Sequence, residues 1–395
     1  MAQFDVAIIG GGAAGIVAAI SARQRGASVV ICEKMPRLAK KLLISGSGRC
    51  NLLNERLDES FYNIQARGLV RSVFEKFGKD DILKLFRELG LEVYSEDGRI
   101  FPVTEQASSV LKVLEMELDR LSVAMELSFD ASHVTSVGDG FSVESKAGKK
   151  INCSRLVMTG GGRSYPALGS DGSCYRLAER FGHKIIEPVP AAVPIVVKDR
   201  LCHLLQGQRL RANAKLFIHG REAGEASGEL LFTKYGLSGT AILDISEELS
   251  IAMNRDGKKD VALSVDMAPF MDAKALKDEL CRRQARKVMP EEFLIGILPN
   301  RCAAALSDLC KKSKCDAVAA ALKDTRFKVL GTRGWNEAEF TAGGVDVSQV
   351  KESSLESKLK RNLYFAGEIL DVCGSRGGYN LAWAWASGFV AGMAG

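Results

Sequence analysis

The chain opens with an unbroken apolar run, Phe4 to Ile9. Three glycines follow, then a helical pattern from Ala13 to Arg25 that Gly26 ends. A strand apolar at every position, rather than at alternate ones, marks a parallel strand buried on both faces. Ala27 to Cys32 repeats that texture, so the opening reads as one strand–helix–strand unit. Another buried strand, Arg155 to Met158, runs into Gly160-Gly161-Gly162, and a last one, Leu363 to Ala366, runs into Gly367. Strands that end in glycine yet lie far apart in sequence predict one open sheet assembled from distant parts of the chain. The residues from Leu381 to Gly392 predict a buried final helix.

Between residues 190 and 340 the texture changes. Pro188, Pro190 and Pro194 punctuate an entry segment, and short β-like runs follow at Ile195–Val197, Lys215–Ile218 and Glu229–Phe232. Ala273 to Lys287 and Arg301 to Leu322 carry apolar residues three and four apart and predict helices, and Phe327 to Leu330 returns as a strand. The pattern therefore predicts a nucleotide-binding domain split into 1–190 and 341–395. The insert divides into a β-rich part over 191–249, a helical cap over 250–325 and a return strand over 326–340.

Composition narrows the class. With 395 residues, 46% hydrophobic and 26% charged, the chain is neither disordered nor collagen-like. Its ten cysteines form no Cys-x-x-Cys pair and share no zinc-ligand spacing with histidine, which predicts a reduced, cytoplasmic setting and no metal site. Asp5 and Gly10-Gly11-Gly12 spoil a signal peptide, and Leu381 to Gly395 is too short to span a bilayer.

Gly10-x-Gly12-x-x-Gly15 sits between the first strand and the first helix. The first glycine permits a tight turn, the second lets backbone approach a pyrophosphate, and the third lets helix and strand pack closely. The first-turn amides of Ala13, Ala14 and Gly15 then face the phosphates with the positive end of the helix dipole. Glu33, with Lys34 after it, ends the second strand, where an acid accepts from ribose hydroxyls and repels a 2′-phosphate. The glycine-rich strand ends elsewhere favour FAD over NAD, because a flavin and its ribityl chain need further backbone contacts. Thr159, Gly160, Gly161, Gly367 and Glu368 are placed to supply them. Gly377-Gly378-Tyr379-Asn380 opens the last helix, whose N-terminus would face the flavin N1/C2=O edge.

Five segments then carry a resemblance: Ile44-Ser45-Gly46-Ser47-Gly48-Arg49-Cys50-Asn51, Gly228 to Thr233, Tyr235 to Gly239, Thr341-Ala342-Gly343-Gly344-Val345, and Leu363 to Asp371. From residue 4 to 392 the chain resembles the YhiN-like flavoproteins, also called the BaiN/RdsA family of NAD(P)/FAD-dependent oxidoreductases. The resemblance implies a Rossmann-like α/β FAD domain of the glutathione-reductase/hydroxybenzoate-hydroxylase type with an inserted β-barrel-like subdomain and helical cap. It also implies reduction of enone-like steroid intermediates or of a uridine in ribosomal RNA, with Asp371 among the cofactor-binding residues. Four positions depart from the family: Ser47 stands for a glycine, Lys234 for a common His, Thr240 for a common Pro and Ala382 for a common Gln.

Few side chains qualify for proton chemistry. His133, His183, His203 and His219 all lie outside the glycine-rich segments. Cys50 follows Arg49, whose charge would lower its thiol pKa, so Cys50 is either an acid or thiolate or a small buried filler. Cys373, beside Gly374, is the second candidate, and Arg49 is expected at the cofactor or substrate. No second strand–glycine–helix unit occurs, so NADH or NADPH binds transiently or another protein supplies electrons. Residues 250 to 335 hold 17 Lys and Arg against 11 Asp and Glu, an excess equal to the whole chain's +6. Arg282, Arg283, Arg286 and Lys287 thus form either a face for RNA phosphates or a solvated helix surface. The sequence leaves three readings open: reduction of an activated C=C bond in rRNA, the same reaction on a small enone, or a non-catalytic flavin-bound RNA-binding or redox sensor.

Overall fold

The computed structural model describes residues 3–393. The chain divides into two units, residues 1–188 with 340–395, and residues 189–339. Each has its own apolar core.

The first unit is built on a seven-stranded sheet. Ala124–Leu127, Val29–Glu33, Gln3–Ile9 and Lys150–Met158 lie side by side in parallel. Lys150–Met158 is long enough to serve two partners. Leu156 to Met158 pairs in parallel with Leu363–Phe365, while Ile151 to Cys153 pairs antiparallel with Gly140–Ser145, which continues to Ala131–Val137. The distant glycine-ended strands are therefore neighbours, as the continuous apolar runs require. Ile8, Ile31, Leu156 and Phe365 are fully buried between the layers above and below.

Two helices explain how those layers pack. Ala13–Gln24 follows the first strand and Tyr379–Met393 closes the chain. Glycine inside a helix costs about 1 kcal/mol relative to alanine, yet the last helix keeps Gly388 and Gly392. A Cβ at Gly388 would lie 2.3 Å from the Ala14 carbonyl oxygen, and one at Gly392 would lie 2.4 Å from that of Ala18. The small residues let the two helix backbones touch. The last helix begins at Tyr379 rather than at Leu381, two residues earlier than its apolar pattern predicts.

The second unit holds a closed six-stranded barrel in the order Ile195–Val197, Gly236–Ser238, Arg221–Thr233, Arg209–Ile218, Val261–Asp266 and Thr325–Thr332, with the last pairing back to the first. The segment predicted as a purely helical cap over 250–325 is corrected here: Val261–Asp266 is a barrel strand, with Val261, Leu263 and Val265 buried at alternate positions. The predicted helix from Arg301 to Leu322 is three pieces, Asn300–Ala305, Ser307–Lys312 and Cys315–Lys323. Extended backbone at Ser313 and Lys314 ends one and caps the next. Among the described residues no helix is long and apolar enough to cross a membrane.

Substituting Gly388→Ala is expected to lower stability by about 1–3 kcal/mol despite alanine's better helix propensity. Urea unfolding measures it, and an unchanged midpoint would show slack between the two helices.

Candidate dinucleotide site

The glycine turn assigns a separate task to each glycine. Gly10 has φ +106°, and a Cβ there would meet the Thr159 carbonyl oxygen at 2.6 Å. At Gly15 a Cβ would meet the Gly10 carbonyl oxygen at 1.9 Å. Thr159 donates its hydroxyl to the carbonyls of Ile9 and Gly10 at 3.0 and 2.7 Å, tying the turn to the end of the neighbouring strand. Gly12 differs from both. It caps the helix with no side-chain bond to the first-turn amides, and a Cβ there would point into open space. A bare turn with free space above a helix N-terminus is what a pyrophosphate fits. Glu33 is buried, and its carboxylate accepts the Gly11 amide at 2.6 Å and the Met35 amide at 2.8 Å. Each oxygen retains a lone pair for a ribose hydroxyl. Lys34 instead pairs with Asp171 at 2.6 Å.

Glu368 joins four separate segments. Its carboxylate accepts the Thr341 amide at 2.9 Å, the Ser164 hydroxyl at 3.2 Å and the Lys41 ammonium at 2.7 Å. Lys41 also donates to Ser164, and the Thr341 hydroxyl accepts the amides of Arg163 and Ser164. Lys41 and Ser164 lie in no motif, and Thr341 opens the Thr341–Val345 motif, which assigns it no such role. Gly160 and Gly162 are glycine for packing, since Cβ atoms there would strike Cys174 and Thr341 at 2.1 and 2.3 Å. Gly161 has φ +73° and lies beside Ser170. Gly367 donates its amide to Ser387 and accepts from the Trp383 indole.

The Ser45–Asn51 loop is a left-handed coil, with φ +56° at Gly46, +59° at Ser47, +88° at Gly48 and +60° at Cys50. The loop closes on itself, the Arg49 and Cys50 amides bonding back to the Gly46 and Ser45 carbonyls at 3.2 and 3.0 Å. Ser47, where the family has glycine, adopts the left-handed backbone with a side chain, at a cost of about 1–2 kcal/mol. The Asn51 amide oxygen is buried without a hydrogen-bond partner.

Two expectations are corrected here. Arg49 turns away from Cys50: its guanidinium bonds Tyr94 at 2.7 Å and Glu96 at 2.8 Å, lies 3.5 Å from Glu105 and stacks over Phe101. Cys50 is fully buried, and burial pushes its thiol up to about 12 while the Ser45 hydroxyl pulls weakly the other way. Arg49 therefore does not activate it, and Cys50 fits the small buried filler. Cys373 is also buried, with its backbone amide and carbonyl bonded to Asn63. Asp371 extends the same strip, its amide on Val345 and its carbonyl on Asn63.

At the far turn, Gly377 and Gly378 have φ +119° and +105°, and a Cβ on Gly378 would lie 2.5 Å from Leu53 backbone. Tyr379 is buried rather than presented, stacked on Phe61 at 4.4 Å and edge-on to Tyr62. The Asn380 side chain folds back to bond both the amide and the carbonyl of Gly374, bracing the turn.

A strand-end glycine turn with open space at its helix is the start of a Rossmann-type domain, and the family comparison agrees. The HI0933-like protein Rossmann domain profile matches residues 4–394. The chain belongs to this family. A 3-dehydro-bile acid delta(4,6)-reductase of Clostridium scindens is 36% identical over 98% of each chain. A ribosomal RNA dihydrouridine synthase of Escherichia coli is 30% identical over 99% of this chain and 97% of that one. In fold, the chain matches a 3-ketosteroid-delta4-(5alpha)-dehydrogenase of Rhodococcus jostii RHA1 with TM-score 0.51, at 14% identity over 99% of this chain and 96% of that one. It is an FAD-dependent oxidoreductase, which sets aside the non-catalytic alternative.

Replacing Glu368 by Ala is expected to weaken FAD binding about tenfold or more, because it leaves the Lys41 ammonium without its carboxylate. FAD titration of the stripped protein measures this, and unchanged affinity would remove the network from the site. Cys50 is expected to resist iodoacetamide at neutral pH in the folded protein. Labelling of Cys50 ahead of the exposed Cys281, read by peptide mapping, would restore the activated thiolate.

Proposed function

We propose that this chain takes hydride from NADH or NADPH and delivers it to a carbon–carbon double bond conjugated to a carbonyl. The observation that carries this reading is the pair of relatives above, one named for a bile acid and one for ribosomal RNA. The two substrates differ greatly in size, but an enone and a uracil ring share one reacting group. In each, the carbonyl makes the far alkene carbon electrophilic, so hydride adds there and a proton adds beside the carbonyl.

Bound FAD supplies the hydride relay between nicotinamide and alkene. The chain's own part is binding and orientation. Gly10, Gly12 and the Ala13–Gly15 amides receive the pyrophosphate, and Glu33 receives the adenosine ribose. The Gly46–Asn51 loop, Thr159 and the Gly377–Asn380 turn serve the flavin half, with the Lys41–Glu368 pair holding their supporting segments in register. With all ten cysteines free, the chain suits a reducing, cytoplasmic compartment.

A small enone is the favoured acceptor. Of the four basic residues expected to face RNA, Arg282 and Arg283 both pair with Glu279, and Arg283 also bonds the carbonyls of Phe293 and Ile295. Half of the cluster thus serves the cap itself. Arg286 and Lys287 remain exposed, and they support the second reading, a uridine in ribosomal RNA.

The test is anaerobic. FAD-loaded protein mixed with NADH or NADPH is expected to lose its flavin absorbance and regain it when a 3-oxo-4-ene steroid is added, the steroid gaining two hydrogens by mass. Recovery with ribosomal RNA but not with the steroid selects the second reading. Absence of bleaching by either nucleotide overturns the NAD(P)H assignment.

A further inference from the structure

The second unit carries a pair of cysteines that the flavin chemistry does not use. Lys277, Cys281 and Gln284 recur at helical spacing on the Ala273–Ala285 helix and so share one face. That face meets the start of the Cys315–Lys323 helix at three successive points. Lys277 pairs with Asp316 at 3.0 Å and the Cys315 thiol donates to the Gln284 side-chain oxygen at 2.9 Å; Cys281, one helical turn from both Lys277 and Gln284, lies between these two contacts and faces Cys315. The ion pair on one side and the amide on the other fix the two helices across the sulfur atoms.

The two thiols differ in access. Cys281 is exposed and Cys315 is buried behind it, whereas seven of the other eight cysteines are buried and Cys310 is half-buried. An exposed thiol that an oxidant can reach, backed by a second thiol within reach, is the arrangement of a two-cysteine oxidation site. We propose that Cys281 and Cys315 form a reversible disulfide, with hydrogen peroxide as oxidant. Peroxide transfers one oxygen to the Cys281 sulfur, giving a sulfenic acid and releasing one water. The Cys315 sulfur then attacks the Cys281 sulfur, and the sulfenic hydroxyl leaves with the Cys315 proton as a second water. Two thiols lose two electrons and one peroxide gains them. A thiol such as dithiothreitol reverses the step by exchange.

The cross-link acts on the cap. It closes the loop that holds Arg286, Lys287 and Lys311, and it is anchored one residue before Arg282. Oxidation would restrict the motion of the basic segment without touching the dinucleotide site. Shortening the free path of a chain in this way lowers the entropy of its open states.

The test uses the full-length, FAD-loaded protein treated with a small molar excess of hydrogen peroxide. The thiol titre under denaturing, non-reducing conditions is expected to fall from ten to eight and to return with dithiothreitol. Peptide mapping should recover Cys281 joined to Cys315. In Cys281→Ser the titre should not fall by two, and in Cys315→Ser dimedone should trap Cys281 as its sulfenic acid. An unchanged titre in the parent protein overturns the proposal. So does a map that joins either cysteine to Cys310, or a parent protein that accumulates the dimedone adduct at Cys281 with Cys315 still free.

Discussion

Close backbone contact around the first helix is the constraint on which the rest of this fold depends. Gly15 lets the helix seat against the turn at Gly10, and Gly388 and Gly392 let the last helix press onto Ala14 and Ala18. A side chain at any of these positions would have to occupy space already filled by a carbonyl oxygen. The helix N-terminus is therefore held from two sides by atoms that cannot move aside singly, and its first-turn amides are directed into the space above Gly12. A dipole fixed in this way needs no reorganisation when an anion arrives. The cost of glycine within the last helix is offset by that placement.

The second organising element is a carboxylate. Glu368 was expected at the cofactor because it ends a strand beside Gly367, but three donors from three distant segments already occupy it. Its role is to fix the positions of Lys41, Ser164 and Thr341, and through them the loops that precede and follow the glycine-rich strand ends. A carboxylate satisfied by one cation and two neutral donors tolerates partial burial where an unpaired one would not. The same logic separates Arg49 from Cys50. Adjacent in sequence, they diverge in space because the arginine has two carboxylates and an aromatic face to meet, while the thiol is buried with the Ser45 hydroxyl beside it.

Much of the nucleotide half was legible because its signals are local. An apolar run, a glycine turn, a helical repeat and a terminal acid lie within one short stretch, and each residue's task follows from backbone geometry. The barrel was only partly legible: Val261, Leu263 and Val265 alternate correctly for a strand, but they sit among charged residues that read as helix surface. The break at Ser313 and Lys314 escaped notice because neither residue is a strong helix breaker; tertiary packing, rather than propensity, separates those helices. The Lys41–Glu368 network could not be read at all. Its ends, Lys41 and Glu368, are 327 residues apart, and no spacing rule links its members.

Charge shows the same limit from another direction. The cap holds an excess equal to the net charge of the chain, and counting alone makes it a face for a polyanion. Counting treats every cation as available. In the folded cap Glu279 draws in Arg282 and Arg283 together, Glu291 takes Lys311, and Asp316 takes Lys277. A cation already paired releases fewer counterions on meeting a phosphate, because its own carboxylate must first be displaced. The charge the cap can offer a polyanion is thus set by the residues left over after internal pairing, among them Lys274, Arg286, Lys287, Arg301, Lys312 and Lys314, and not by the sum. Scattered exposed cations of this kind suffice for a weak, salt-sensitive contact. Selecting one uridine in a large RNA would require base contacts from elsewhere, while a small enone requires none of this surface.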